Sequence, residues 1–214
     1  MTEEQKLRYE LIRNTSSVEK ARECYNFIMD NDDKPRMKPP MNCIYIDGIY
    51  ICYEDGKRQL YDGTNPTERV THIGIKVGKH TVGIRLNSQG ERELPYNSDL
   101  DKDDFDYKRH GLRALDDFNG KANTEHLKRH GEFDFDLADD EWIPSLGELA
   151  IICKNKEKIN EALAFVGGDK LTSTWYWSST EYSATGAWYV GFHNGNVFGG
   201  SKSKSYVVRP VCEF

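Results

Sequence analysis

Apolar residues along this chain change their period more than once. Near the start they fall at helical spacing, at Leu7, Leu11 and Ile12 and then at Val18, Ala21, Cys24, Tyr25 and Ile28, the stepping that lines up side chains on one face of a helix. Thr2-x-x-Gln5 and Ser16-x-x-Glu19 each set a hydroxyl three residues ahead of a side chain that reaches back, which satisfies free N–H groups at a helix start. Asn14-Thr15 punctuates between them. A helical pair is predicted over residues 1–33, and so short a pair needs a surface to dock on, from its own chain or from another copy. Pro35, Pro39 and Pro40 then mark residues 34–40 as a stiff linker.

Beyond the linker the period falls to two. Ile44-Tyr45-Ile46, Asp47-Gly48 and Ile49 to Tyr53 read as strand, tight turn and strand, Asp55-Gly56 offers a second turn, and Thr71 to Val77 pairs with His80 to Leu86 around Gly78-Lys79. An antiparallel meander is predicted over residues 41–96. Helical spacing returns after Trp142. Ser145-x-x-Glu148 is a capping box ahead of Leu146, Leu149, Ala150 and Cys153, and a second helix from about Asn155 turns Ile159, Ala162, Leu163 and Val166 inward before Gly167-Gly168. Aromatic strands follow at Trp175 to Glu181 and Ala187 to Phe192, then a hairpin turn at Asn194-Gly195, a polar loop from Gly199 to Ser205 and a last strand from Val207 to Val211.

Composition narrows the function classes. With 214 residues, 37% hydrophobic and 30% charged, the chain can bury a sizeable core. No stretch approaches the roughly 20 apolar residues that span a bilayer, and Met1-Thr2-Glu3-Glu4-Gln5 lacks the basic start of an export signal. The expectation is no membrane insertion and a cytoplasmic product, free or carried out in a larger particle such as a phage virion. Net charge is −6 with both signs intermixed, which disfavours nucleic acid as a partner. The five cysteines Cys24, Cys43, Cys52, Cys153 and Cys212 form no CxxC pair and read as reduced, packed thiols.

Metal chemistry finds little footing. Asp99, Asp101, Asp103, Asp104 and Asp106 alternate as calcium ligands can, but the EF-hand positions for Gly and Glu hold Asp104 and His110, so a solvated loop is expected. His126 and His130 stand four residues apart in a basic stretch that also follows His110, yet Leu127-Lys128-Arg129 lies between them where a metal site wants a carboxylate. No cofactor and no metal are expected.

Trp-x-Pro-Ser-Leu-x-Glu-Leu at 142–149, Tyr-Trp-Ser-Ser-Thr-Glu-Tyr-Ser at 176–183, Ala-Trp at 187–188, Phe-x-Asn-Gly-Asn-Val at 192–197 and Val-Arg-Pro-Val at 208–211 resemble a C-type-lectin-fold group of gut bacteria and their phages. Within that group they are most similar to the variable proteins of diversity-generating retroelements. The resemblance covers residues 111–214 well, the preceding strands weakly and the N-terminal helices not at all. It implies an α+β C-type lectin-like fold over 41–214, antiparallel strands with two helices, behind the N-terminal helical appendage.

The resemblance also implies a way of making binding sites. Copying a template RNA with errors at adenines turns Asn codons into NNC or NNT codons, which never encode a stop. Gly186, Tyr189, Gly191, His193, Phe198, Gly199 and Gly200 are all reachable in this way, as are Thr185 and Tyr206, whereas Trp188, Lys202 and Lys204 are not. Together with Tyr182 these ten reachable positions form the expected variable, ligand-binding surface within residues 175–214. Alternation along the strand sets 189, 191 and 193 on one side and 188, 190 and 192 on the other. Tyr and Phe beside small residues make a paratope-like mixture for a protein or glycan ligand. The function expected is thus non-enzymatic recognition, as an adhesin or receptor-binding component. Two alternatives differ in class. A structural subunit would assemble as a homo-oligomer through the N-terminal helices. A formylglycine-generating type of enzyme would need a reactive thiol, and Cys153 and Cys212 stand without partners for one.

Overall fold

The computed structural model describes residues 46–63, 66, 68–96, 105–129 and 132–214. The chain divides into two compact units, Met1–Asp47 and Gly48–Phe214. The expected helical pair, the linker and the strand residues Ile44 and Tyr45 lie outside the described residues, as do Asp99, Asp101, Asp103, Asp104 and His130.

β-branched residues in register build the first sheet. β1 (Gly48–Tyr53) runs antiparallel to β2 (Arg58–Leu60) and β3 (Val70–Val77), and β3 turns through Gly78, at φ 57°, into β4 (His80–Arg85). Ile49 opposes Ile75, Ile51 opposes Ile73, and Ile73 and Ile75 oppose Ile84 and Val82, so one face is a continuous aliphatic row. β11 (Val211–Cys212) pairs with both β4 and β6 (Glu141–Trp142), giving the order β2-β1-β3-β4-β11-β6. Two features of the predicted meander are corrected. Gly48 begins β1 instead of turning the chain, and the reversal comes at Asp55-Gly56, where Gly56 takes φ 85°. β5 (Glu91–Arg92) leaves for the second sheet, so the strands up to residue 96 do not share one sheet.

Four helices occupy the described residues: α1 (Gly111–Leu115), α2 (Gly120–Lys128), α3 (Leu146–Lys154) and α4 (Lys156–Val166). The predicted capping box is present, with Ser145 N–H donating to the Glu148 carboxylate at 2.7 Å and Glu148 N–H donating to Ser145 Oγ at 3.4 Å. α4 stops where expected. Gly167 adopts the left-handed conformation, and Gly168 N–H donates to Leu163 O at 2.8 Å. Leu146, Leu149 and Ile152 of α3 and Ile159, Ala162 and Leu163 of α4 are buried in one core with the aliphatic row. Burial of this kind contributes about 1.5–3 kcal/mol for each large side chain.

The second sheet holds β7 (Trp175–Ser183), β8 (Gly186–Gly191), β9 (Val197–Ser201) and β10 (Tyr206–Val207), in the order β5-β10-β7-β8-β9. All its pairings are antiparallel except β10 with β7. The predicted polar loop over 199–205 begins as strand, because Gly199, Gly200 and Ser201 pair with Trp188, Ala187 and Gly186. The predicted last strand is two strands in two sheets. Between them Arg209-Pro210 carries the chain across, and the buried Arg209 guanidinium donates to the carbonyls of Arg85 at 3.0 Å, Leu86 at 2.9 Å and Asp169 at 2.6 Å. Burial lowers the guanidinium pKa, against the pull of Tyr176 and Asp169. The result is an α+β domain of largely antiparallel sheets and helices.

Candidate ligand-binding surface

Alternation along β7 and β8 gives the second sheet two unlike faces. Tyr176, Val190 and Phe192 point into the main core with α3 and α4. Trp175, Trp177 and Tyr189 point the other way, where Trp175 meets the rings of Tyr189 at 5.3 Å, His193 at 4.7 Å, Phe198 at 5.6 Å and Tyr206 at 6.3 Å. Tyr189 and Tyr206 lie 4.6 Å apart. Edge-to-face geometry predominates at Trp175, the arrangement that ring quadrupoles favour. The base of this cluster is anchored by Trp177, fully buried, whose Nε1–H is within reach of the carbonyls of Arg92 at 3.0 Å and Lys204 at 3.1 Å.

The ten predicted positions do not form one outward patch. Register places Tyr189, Gly191, Phe198 and Gly200 on the Trp175 face, joined there by His193 and Tyr206, whereas Gly186 and Gly199 lie on the face of Trp188 and Tyr182. Thr185, His193, Phe198 and Gly199 are exposed, Tyr182 and Tyr206 are half-buried, and Gly186, Tyr189, Gly191 and Gly200 are buried. Tyr189 keeps only 8% of its surface, against 43% for Phe198. The expectation that Tyr189 stands in solvent is therefore corrected: Trp175, Trp177 and Tyr206 converge on it from other strands. That burial, and next its partner Tyr206, raise the pKa of the Tyr189 hydroxyl.

Four of the glycines are packing positions. A Cβ on Gly191 would stand 2.6 Å from Trp175 Cζ3, one on Gly200 2.9 Å from Tyr189 Cε1, and one on Gly199 2.9 Å from Tyr182 Cε1, while at Gly186 it would overlap the Tyr182 ring. Any larger residue there obliges an aromatic ring to move. The sequence marks Trp175 as the start of an aromatic strand but not as a contact residue, and its pairing with Gly191 is set by the sheet register.

Buried charges brace the turn that joins β7 to β8. Glu181 and Lys202, each 1% exposed, form an ion pair, and Lys202 Nζ also donates to Ala184 O at 2.9 Å. His126 on α2 brings Nδ1 to 2.6 Å from Glu181 Oε2, and the Phe105 ring stacks on the imidazole at 3.7 Å. The carboxylate thus engages a partner from α2 and one from the turn after β9, as a buried charge requires. Among the described residues no group of three or more His, Cys, Asp and Glu is placed to hold a metal. Alongside, an open cavity of about 440 Å³ includes Lys108, Arg109, His110, Arg113 and Asp116 in its lining, a mixture of signs that concentrates neither anions nor cations.

No protein-family model matches the chain, and no curated protein matches it. Among solved structures it is similar to a fimbrial protein from Bacteroides ovatus ATCC 8483, with a TM-score of 0.60 over 79% of this chain and 17% sequence identity. The chain spans about half of that structure, 49% of its length. At this identity the likeness is one of fold.

Of the described thiols, Cys52 and Cys212 lie in the first sheet and Cys153 on α3. Burial pushes the pKa of both Cys52 and Cys212 up to about 12, and Cys153 on α3 is raised by the same cause. A thiol protonated at neutral pH is a poor nucleophile.

Proposed function

We propose that Gly48–Phe214 is a C-type-lectin-like recognition domain, an adhesin or receptor-binding module displayed on a cell or virion surface, whose ligand contacts the aromatic rim around Trp175. The observation that carries this reading is Phe198, an aromatic ring 43% exposed on a strand yet in contact with the Trp175 cluster behind it. A large ring held rigid at a wet boundary supplies contact area with little entropy to lose, as binding hot spots do. The fimbrial likeness is in keeping with a surface role. A retroelement origin is retained in a narrower form: free exchange is confined to Thr185, His193 and Phe198, because the glycine positions are committed to the rings above them.

Two measurements test this. Binding of the full chain to panels of glycans and cell-surface proteins is expected to weaken at least about tenfold in Phe198→Ala, within the range of a hot-spot truncation, with the unfolding midpoint unchanged. Binding indifferent to Phe198 and His193 overturns the surface. Sequencing the locus tests the origin separately, since a neighbouring reverse transcriptase and a near-repeat of the last part of the gene are expected.

A further inference from the structure

Among the described residues, the second sheet ends in a strand with one side unpaired. β9 is terminal in the order β5-β10-β7-β8-β9, and its sequence Val-Phe-Gly-Gly-Ser carries neither proline nor charge, the devices that ordinarily blunt a sheet edge. Register shows which backbone groups are open. Gly191 N–H donates to Asn196 O at 2.9 Å and Lys202 N–H to Thr185 O at 3.0 Å, while Tyr189 opposes Phe198 and Ala187 opposes Gly200. The even-numbered residues from 196 to 202 therefore bond toward β8. Directly opposed residues alternate between bonded and non-bonded pairs along an antiparallel ladder, so N–H and C=O of Val197, Gly199 and Ser201 point away from it. Ser201 O accepts from Lys204 N–H at 3.2 Å. The three N–H groups, and the carbonyls of Val197 and Gly199, meet no backbone partner among the described residues.

Each face beside this edge presents an aromatic ring. On one, exposed Phe198 adjoins Trp175. On the other, Gly199 has no side chain to cover the adjacent ring of Tyr182, which is half-buried.

We infer that β9 accepts an extended peptide segment of another protein as a sixth strand of this sheet, bonded to the backbone of Val197, Gly199 and Ser201. Its successive side chains, alternating between faces, lie against Phe198 on one side and beside the Tyr182 ring that covers Gly199 on the other, so the segment carries neighbouring apolar residues. The inference rests on the reading of the second sheet as a ligand surface and names the class of ligand. An extended backbone repeats donor and acceptor at the spacing this edge presents, which a glycan does not. A second folded copy fits less well, because the edge of a five-residue strand falls far short of the roughly 800 Å² per partner of a stable dimer. A slender peptide reaches the edge and both faces together.

The test uses the full chain and a phage-displayed library of random peptides of about twelve residues, long enough to form a strand. The best selected peptide is synthesised plain and with alternate backbone nitrogens methylated. On saturation with the plain peptide, amide hydrogen exchange at Val197, Gly199 and Ser201 is expected to slow at least about tenfold, whereas Phe198 and Gly200, already in the ladder, change less than about twofold. Methylation is expected to weaken binding at least about tenfold. A selection that enriches no peptide, or protection that lacks this alternation, overturns strand addition. Glycan binding lost in Phe198→Ala, with Val197 and Gly199 unprotected, overturns strand addition and leaves the recognition surface standing. Protection of the same amides by dimerisation alone assigns the edge to a second copy and overturns the peptide.

Discussion

The two faces of the second sheet come from alternate residues of the same strands, and they differ in what covers them. On one, Tyr176 stacks on Phe192 at 4.1 Å and Val190 is 1% exposed, sealed in a core with α3 and α4. On the other, neighbouring rings lie around Tyr189 toward the β9 edge, and the outermost of these, Phe198 and His193, meet solvent. A sheet face becomes a core or a contact surface according to which other segments return to lie on it. Side-chain character alone does not decide, since both faces are aromatic.

Substitutions can break or sharpen this contrast. The largest effect is expected from Lys202→Met, which strands the Glu181 carboxylate in the interior beside His126; a loss of about 3–5 kcal/mol by denaturant titration is the usual cost of breaking a buried pair. Adding Glu181→Gln should recover part of it, and a loss below about 1 kcal/mol would mean that the pair does not brace the turn. On the sealed face, Leu149→Ala should cost about 2–5 kcal/mol, the range for a cavity in a packed core. Gly186→Ala comes next, at about 1–3 kcal/mol, because its methyl overlaps the Tyr182 ring. In the Tyr182→Ala background that penalty should vanish, and a double-mutant cycle reads the difference. Phe198→Ala on the open rim should change stability by no more than about 0.5 kcal/mol; a large loss there would erase the contrast between the faces.

Local signals were legible in the sequence and long-range coverage was not. The turn at Gly78, the capping box at Ser145 and Glu148 and the stop at Gly167 depend on neighbours within a few residues, and each stands where the pattern places it. β9 was hidden because Gly199-Gly200-Ser201 has no strand propensity of its own; pairing with β8 and the rings above the glycines hold it extended. Asp47-Gly48 carries turn chemistry, yet pairing of Gly48 with Lys76 makes it strand. For the candidate surface, alternation put Tyr189 correctly on the side opposite Val190. Its burial depends on Trp175 and Tyr206, two residues from other strands whose convergence no local pattern encodes.

The crossing at Arg209-Pro210 bears on how this chain is made. Arg209 joins carbonyls as far as 124 positions back along the chain, and β11 enters between β4 and β6, both of which leave the ribosome long before it. Among the described residues, it is β11 that bridges β4 and β6. Such distant pairing forms slowly, since a long loop must close before its contacts can form.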